Sequence, residues 1–353
     1  MRAARRTTTV VTLALAASFG LAGCSSGTEP AEAGSEAPAA DDGPLVVYSG
    51  RSEDLVAPLF EMFEQETGIE TEVRYASSAE QAQLLLTEGE NSPGHVFLSQ
   101  EAGALGLVSE AGHLVALPEE TLGQVPEAYT SDDGTWVGVT GRARVVIYDS
   151  ERVEEADAPE TAEQIVDPQW AGKVAVAPGN ASFLSFVTAM RLTEGEEATA
   201  QWLEALAAND VQTYDGNDDI LEAVNSGEVE LGLVNHYYWY AAAAEQGEDA
   251  MRAGLKFGAP GDVAGLVNAT GVGILTAGEG RADAQELVDY LLSDPAQEFF
   301  AEEEFEYPLV ADVTGPEGVP PLDSLSGPAV DLSDLGTVDE TAAMLDDAGI
   351  TVG

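Results

Sequence analysis

Basic side chains are scarce in this chain. Its 353 residues include 13 Lys and Arg against 64 Asp and Glu, which gives a formal net charge of −51. Nucleic acids and anionic membrane surfaces are polyanions, so this charge excludes them as favourable partners. The single cysteine, Cys24, rules out an intramolecular disulfide. The hydrophobic fraction of 44% is nevertheless typical of a folded protein, and the length predicts about two domains.

Long apolar runs are also missing, apart from a short stretch near the N-terminus. Residues 1–6 include three arginines and residues 10–21 are mostly apolar, a pattern typical of a secretory signal and too short for a membrane-spanning helix. The stretch Leu21-Ala-Gly-Cys24 resembles the lipobox of bacterial lipoproteins. That resemblance implies a signal peptide over residues 1–23, acylation of Cys24 and anchoring at the outer face of the cell membrane. The alternative is a soluble exported protein cut nearby.

Residues 24–43 contain no aromatic residue and predict a flexible acidic linker. Beyond them the pattern alternates between strand and helix. Strands are predicted at 46–48, 70–75 and 95–99, with helices between them, and the second half repeats the alternation with strands at 145–148, 174–177, 229–234 and 272–275. Such alternation predicts an α/β fold with largely parallel sheets.

We therefore expect two α/β lobes, each a mostly parallel sheet flanked by helices, with hinge strands between them. The predicted N-terminal lobe comprises residues 44–142 and 268–318, and the C-terminal lobe comprises 143–267 and 319–353. In open α/β sheets ligands bind beyond the carboxyl ends of the strands. The candidate binding residues are therefore those that directly follow each strand.

Two adjacent tyrosines, Tyr237 and Tyr238, follow the strand predicted to end at Val234. A hard trivalent cation can displace the phenol protons, and two phenolates then supply the anionic oxygen ligands that ferric iron prefers. The other interpretation is an aromatic cluster packed in the core, which is the usual role of a Tyr-Tyr pair.

Pro178-Gly-Asn180-Ala-Ser182 is predicted to begin a helix, where free backbone N–H groups and the helix dipole attract anions. An ordinary Asn or Ser N-cap is the alternative interpretation. Arg142 and Arg144 precede a predicted strand and could hold an anion through paired hydrogen bonds. A salt bridge at the surface or between the lobes would also explain them.

Five stretches then occur in order: Val47-Tyr-Ser-Gly-Arg51, Ser92-Pro-Gly-His-Val-Phe97, Gly141-Arg-Ala-Arg-Val-Val146, Val234-Asn-His-Tyr-Tyr-Trp239 and Glu306-Tyr-Pro-Leu309. From about Leu45 to the C-terminal tail, the chain resembles the ferric-ion-binding substrate-binding proteins of bacterial ABC transporters. The resemblance implies a two-lobed, type II-like periplasmic-binding-protein fold and a binding protein rather than an enzyme. It also implies Fe³⁺ as the transported ligand, an ABC permease and its ATPase as partners, and a monomer.

In that family two neighbouring tyrosines bind Fe³⁺, and they match Tyr237 and Tyr238. A synergistic anion, phosphate or carbonate, completes the site. The positions that match its binding residues are Asn180, Ala181, Ser182, Asn217, Asn235 and Arg142, with Arg144 as the alternative to Arg142.

The N-terminal lobe departs from the family pattern. Some members have a histidine where this chain has Ser52 followed by Glu53, and a glutamate where it has Gln100 followed by Glu101. Others carry a third tyrosine at the position of Phe183. We predict Glu101 as the metal ligand from this lobe, because it stands at a predicted strand end. The alternatives are Glu53, or water and the anion, in its place.

Two other functions remain open at this point. A protein of the same fold could bind an organic anion or a sugar through the arginine, asparagine and aromatic side chains of the cleft. An exported hydrolase could use a pair of carboxylates such as Glu53 and Glu101 as acid and base. The choice between free ferric ion and a small ferric chelate is open as well.

Overall fold

The computed structural model describes residues 43–351. The described residues all belong to one compact unit. The predicted signal peptide, Cys24 and the predicted linker up to residue 42 therefore lie outside the described residues. Across residues 43–351, none of the helices combines the length and apolarity needed to cross a membrane.

The described residues form an α/β fold. Its strands are β1 (Leu45–Ser49), β2 (Thr71–Tyr75), β3 (Val96–Ser99), β4 (Trp136–Asp149), β5 (Val174–Val176), β6 (Gln212–Thr213), β7 (Leu231–Asn235), β8 (Ala253–Phe257), β9 (Val267–Ile274) and β10 (Tyr307–Pro308). Its α-helices are α1 (Glu53–Thr67), α2 (Ser78–Glu88), α3 (Ala102–Glu110), α4 (Glu119–Leu122), α5 (Ala162–Ile165), α6 (Ala181–Glu194), α7 (Glu196–Ala208), α8 (Asn217–Ser226), α9 (His236–Gln246), α10 (Ala282–Leu291), α11 (Asp294–Glu302) and α12 (Val338–Asp347).

The strands join in the order β2-β1-β3-β9-β4-β7-β5-β6, with β8 and β10 also paired to β4. Strands β2, β1 and β3 are parallel, as are β7, β5 and β6. The predicted alternation of strand and helix is thus present in both halves. Strands β4 and β9 run antiparallel to their neighbours, so the centre of the sheet is mixed.

Strand β4 connects the two halves of the sheet and is buried along its whole length. Its residues Trp136–Ala143 pair with β9, and from Arg144 onward it pairs with β7 and then β8. Side chains two residues apart on a strand point to the same face. Thr140, Arg142 and Arg144 therefore share one face of β4, at the place where its partner strands change.

A small apolar cluster holds α8 against β4 and β7, with Val145, Ile220, Val224 and Val234 among its members. Ile220 and Val224 are four residues apart and so lie on one face of the helix. Gly227 ends α8 in the left-handed conformation at φ 79°, which glycine adopts without steric cost. This packing sets the start of α8 close to the carboxyl end of β7, where α9 begins.

Candidate functional site

The Tyr237–Tyr238 pair lies in the first turn of α9, directly after β7. The two rings stack, with centroids 4.4 Å apart and planes inclined by 26°. Tyr237 is 4% exposed and Tyr238 is half-buried. Burial raises the pKa of the Tyr238 phenol and the Tyr237 hydroxyl raises it further, whereas Asn217 and Arg51 act to lower it. The pair thus presents two phenols side by side at a strand end, next to donors and a positive charge.

The predicted anion-binding residues of α6 and α8 meet beside this pair. Asn180 caps α6, and its Oδ1 accepts hydrogen bonds from the Ser182 backbone N–H (3.0 Å) and hydroxyl (2.6 Å). Asn217 Nδ2 donates to Ser182 Oγ (3.1 Å). Ala181 is the first residue of α6, where backbone N–H groups have no partner within the helix. We call Asn180, Ala181, Ser182 and Asn217 the cradle.

Arg144 binds the cradle from β4. Its Nη1 donates to Ser182 Oγ (2.9 Å) and to Asn235 Oδ1 (3.5 Å), and its Nη2 donates to the Leu233 carbonyl (2.8 Å). Burial lowers the pKa of Arg144 to about 9, and the two tyrosines act against that shift. Among the described residues, no carboxylate forms a salt bridge with it. A buried cation of this kind favours binding of an anion at the cradle.

Arg142 is also buried, but in the described part of the chain no hydrogen bond joins its side chain to the cradle, and its Nε and Nη1 have no hydrogen-bond partner. It lies two residues, or about 7 Å, before Arg144 on the same face of β4. The structure therefore places Arg144, the alternative arginine, on Ser182 and Asn235. A direct anion contact by Arg142 stays a prediction.

Glu101 caps α3 in this structure. Its Oε2 accepts hydrogen bonds from the Gly103 N–H (2.6 Å) and the Ser185 hydroxyl (3.3 Å), and its Oε1 accepts one from the Ala104 N–H (2.9 Å). Burial raises the pKa of this carboxyl, while these hydrogen bonds and Arg142 act to lower it. These three hydrogen bonds use most of the acceptor capacity of the carboxylate, and a metal ligand at Glu101 stays a prediction.

No hydrogen bond or ring contact joins the other N-terminal candidates to the tyrosines in the described part of the chain. Ser52 and Glu53 are exposed at the start of α1, and Gln100 is half-buried at the end of β3. Within residues 43–351 there is no cluster of three His, Cys, Asp or Glu side chains that could hold a metal ion. The described donors that suit a hard cation at this place are therefore the phenols.

An ion pair between Arg51 and Glu306 is not among the predicted site residues. Arg51 Nη1 lies 2.6 Å from Glu306 Oε1 and donates to Thr270 Oγ1 (3.1 Å), and Glu306 also accepts a hydrogen bond from Thr140. The charge of Arg51 acts on both site tyrosines. Its partners stand more than 200 residues away in the sequence. The available sequence signals are the rarity of arginine in so acidic a chain and the place of both residues in the first and last of the five stretches that carry the family resemblance.

His236 precedes the tyrosine pair and is fully buried. Its Nδ1 accepts a hydrogen bond from the Ala143 N–H (3.2 Å), and its Nε2 lies 2.8 Å from the Phe305 carbonyl, to which it donates as the neutral ring. The ring also stacks on Tyr307, with centroids 4.7 Å apart. It therefore ties the start of α9 to β4 and to the segment before β10. Burial lowers the pKa of His236 to about 4.

Acidification is expected to destabilise the protein through His236. Its pKa is about 4 when folded and about 6.5 when unfolded, so the unfolded chain binds more protons between these values. The contribution of the buried neutral His236 to the free energy of unfolding is present above about pH 6.5. It is lost as the pH falls toward 4, by up to roughly 3 kcal/mol. Denaturant unfolding at about pH 7 and pH 4.5 measures the loss, which His236→Gln should reduce.

The matched control is His113→Gln, since His113 is a half-buried histidine in a loop away from this network. It should lose as much stability in acid as the unmodified protein. An equal loss in His236→Gln would show that other groups cause the acid sensitivity.

A groove of about 580 Å³ opens beside Tyr238 between α8 and α9. Its lining includes three carboxylates, Asp218, Glu222 and Glu245. Clefts lined by charge of one sign concentrate counter-ions near the binding site. The half-buried phenol thus borders an acidic surface that attracts cations.

The described residues combine a two-lobed α/β fold with paired phenols, a buried arginine and a helix N-terminus at the strand ends, an arrangement typical of solute-binding proteins. The family model described as bacterial extracellular solute-binding protein matches residues 92–324. The chain belongs to this family.

Individual relatives and solved structures within this similarity include iron-binding proteins. The chain is 30% identical to an Fe(3+)-binding periplasmic protein of Serratia marcescens, over 90% of this chain and 93% of that one. Iron-bound HitA from Pseudomonas aeruginosa superposes with a TM-score of 0.82 at 29% identity, over 87% and 99% of the two chains. A Trichodesmium protein, IdiA (FutA), solved with iron and citrate ligands gives a TM-score of 0.76 at 25% identity, over 88% and 100%. The predicted fold and the predicted family are confirmed.

Proposed function

We propose that this protein captures Fe³⁺ with an anion at the Tyr237–Tyr238 pair and delivers it to an ABC permease and its ATPase. The carrying observation is the stacked phenol pair beside Arg144, a buried cation that forms no salt bridge within residues 43–351. The names of the Serratia and Pseudomonas relatives support iron as the ligand. These relatives are binding proteins, which supports a transport role rather than catalysis.

The charges at the site fit a ferric ion. Two phenolates leave one positive charge on Fe³⁺, and Arg144 adds a second. A divalent anion such as carbonate or hydrogen phosphate in the cradle would neutralise both. Burial raises the pKa of the Tyr238 phenol, so the phenol keeps its proton when no metal is bound. Binding of iron must therefore release that proton.

Titration of the metal-free protein with ferric ion tests the proposal. We expect a visible phenolate-to-iron charge-transfer band and one bound iron per chain by metal analysis. Because binding displaces two phenol protons, the affinity should rise with pH and the band should fade on acidification. A protein that stays colourless and metal-free at every pH would overturn the iron assignment.

We also propose that Cys24 carries the lipid anchor that holds the mature protein at the outer face of the membrane. The lipobox-like Leu21-Ala-Gly-Cys24 supports this. An anchored receptor stays near its permease, and stable anchoring takes two acyl chains or more.

The cradle also favours a second candidate, a receptor for an organic anion or sugar without metal. Arg144, Ser182 and Asn217 can hold an anion whether or not iron is present. Calorimetry with metal-free protein distinguishes the two, because tight binding of a carboxylate or sugar without iron supports the alternative. The hydrolase alternative lacks support, since Glu53 is exposed and Glu101 is occupied as a cap.

A further inference from the structure

The C-terminal part of the chain packs against helices from both halves of the molecule. Residues 331–347, which we call the tail segment, form a short 3₁₀ helix at Leu332–Gly336 and then α12. The 3₁₀ helix lies on α3, which belongs to the predicted N-terminal lobe. Helix α12 lies on α6 and α7, which belong to the predicted C-terminal lobe. The tail segment therefore touches both predicted lobes.

Two glycines of α3 allow the tail segment to approach the helix backbone closely. A Cβ atom at Gly103 would lie 2.5 Å from the Leu335 carbonyl oxygen. A Cβ atom at Gly106 would lie 2.5 Å from the Ser333 carbonyl oxygen. Both distances are too short for any side chain, so these positions need glycine unless the tail segment moves away. Leu335 is fully buried at this contact. The tail segment is thus packed directly on the backbone of α3.

Polar side chains of α6 bind the tail segment from the other lobe. Thr188 and Arg191 are three residues apart and so neighbour each other on the helix surface. The hydroxyls of Thr188 and Thr341 share a hydrogen bond of 2.7 Å, and both residues are fully buried. Arg191 Nη1 donates to Thr341 Oγ1 (2.8 Å) and to the Thr337 carbonyl (2.8 Å). These hydrogen bonds fix the start of α12 on α6.

The two helices that the tail segment joins also touch each other beside the binding site. The Ser185 hydroxyl of α6 donates to Glu101, the cap of α3 (3.3 Å). Separation of the lobes would break this hydrogen bond and draw α3 away from α6. The tail segment, packed on both helices, would then have to leave one of them. Its contacts therefore favour the conformation in which the lobes touch.

We propose that the tail segment is a strap that holds the two lobes together and thereby sets how long bound cargo is retained. Its effect on cargo rests on the proposed function, whereas its effect on the lobes does not. A ligand enclosed between lobes leaves when they separate, so each contact that must break first slows its release. Within residues 43–351 no hydrogen bond or ring contact joins the tail segment to Tyr237 or Tyr238. The strap should therefore change the release rate and leave the iron ligands unchanged.

Gly106→Ala tests the strap from the side of α3. The added methyl group displaces the tail segment, while alanine favours the helix itself. The protein is loaded with ferric ion and inorganic phosphate, and release to excess chelator is followed by the decay of the visible band. We expect the same band and a release about tenfold faster or more, because displacement exposes part of the buried Leu335. Small-angle X-ray scattering of the metal-free variant should give a larger radius of gyration than that of the unmodified protein.

Gly315→Ala is the matched control, because a Cβ atom there would meet nothing within 4 Å; its release rate should stay unchanged. Thr341→Val tests the strap from the side of α6 and takes the place of Gly106→Ala if that variant fails to fold. It keeps the side-chain shape, loses the hydroxyl and should also release iron faster. Its own control is Thr199→Val, on a fully buried threonine of α7 whose hydroxyl donates to the Gly195 carbonyl (3.0 Å). Any loss of stability in Thr199→Val should leave the release rate unchanged.

Failure of the strap and failure of the ferric function give different results. If iron binds, the release rate decides: an unchanged or slower release in folded Gly106→Ala and Thr341→Val would overturn the strap and leave the ferric function standing. Faster release in Thr199→Val as well would also overturn it, because general destabilisation would then explain the effect. If the protein stays colourless, the ferric function is overturned and the scattering decides alone. A larger radius of gyration in the strap variants then supports the strap, and an equal one rejects it.

Discussion

Replacing both site tyrosines, in Tyr237→Phe/Tyr238→Phe, is expected to abolish the visible band and to weaken ferric binding by more than about a thousandfold. Loss of a residue that merely orients a metal ligand costs 10–100-fold in affinity, and here two ligands are removed. Phenylalanine retains the rings that stack 4.4 Å apart, so the fold should survive. Competition with a calibrated iron chelator measures the affinity, and thermal unfolding checks the fold.

The matched control is Tyr290→Phe. Tyr290 is buried against Phe63, far from the cradle in the chain, and its hydroxyl has no hydrogen-bond partner in the described region. Removing that hydroxyl should leave the band and the affinity unchanged. The single variants Tyr237→Phe and Tyr238→Phe should each weaken binding and shift the band. A double variant that still binds one iron with an unchanged spectrum would contradict the assignment.

The sequence predicted those parts of the fold whose signals are local. The strands and helices between residues 45 and 99 follow from apolar spacing and caps within each segment. Strand β4 was predicted over 145–148, with a strand crossing between the lobes near 142–148, although it begins at Trp136. Its first part contains two glycines, a threonine and two arginines, and these polar side chains are buried beside partners such as Glu306, 166 residues away from Thr140. Strands β6, of two residues, and β8 were also missed.

In the candidate site too, the residues that could be predicted are those with a local sequence signal. Asn180 and Ser182 could be predicted because a helix start is visible in a few consecutive residues. The pair Arg51–Glu306 could not, since its members are 255 residues apart. Glu101 shows a different difficulty. A glutamate after a strand suits a metal ligand and a helix cap equally well, and only the neighbouring Gly103 and Ala104 N–H groups show the cap.

Replacing Arg144 with methionine is expected to reduce strongly the dependence of ferric binding on the anion. Arg144 supplies a buried positive charge and a hydrogen bond to Ser182 of the cradle. Hydrogen bonds to charged groups contribute about 1.5–3 kcal/mol, so an anion held by this guanidinium should bind about 10- to 100-fold more weakly in Arg144→Met. Ferric titrations with and without added phosphate measure this change.

The phenols remain in Arg144→Met, so the variant should still develop a band at high ferric concentration. Its affinity for iron should increase much less than that of the unmodified protein when the same phosphate is added. This separates it from the tyrosine variants, which lose the band itself. Arg152→Met, which removes a 45% exposed arginine that pairs with Asp149, controls for the general loss of one positive charge. If Arg144→Met responds to phosphate as strongly as the unmodified protein does, the anion binds elsewhere. The cradle would then be an ordinary helix cap, and the positive charge beside the iron would come from Arg51, which also acts on both tyrosines.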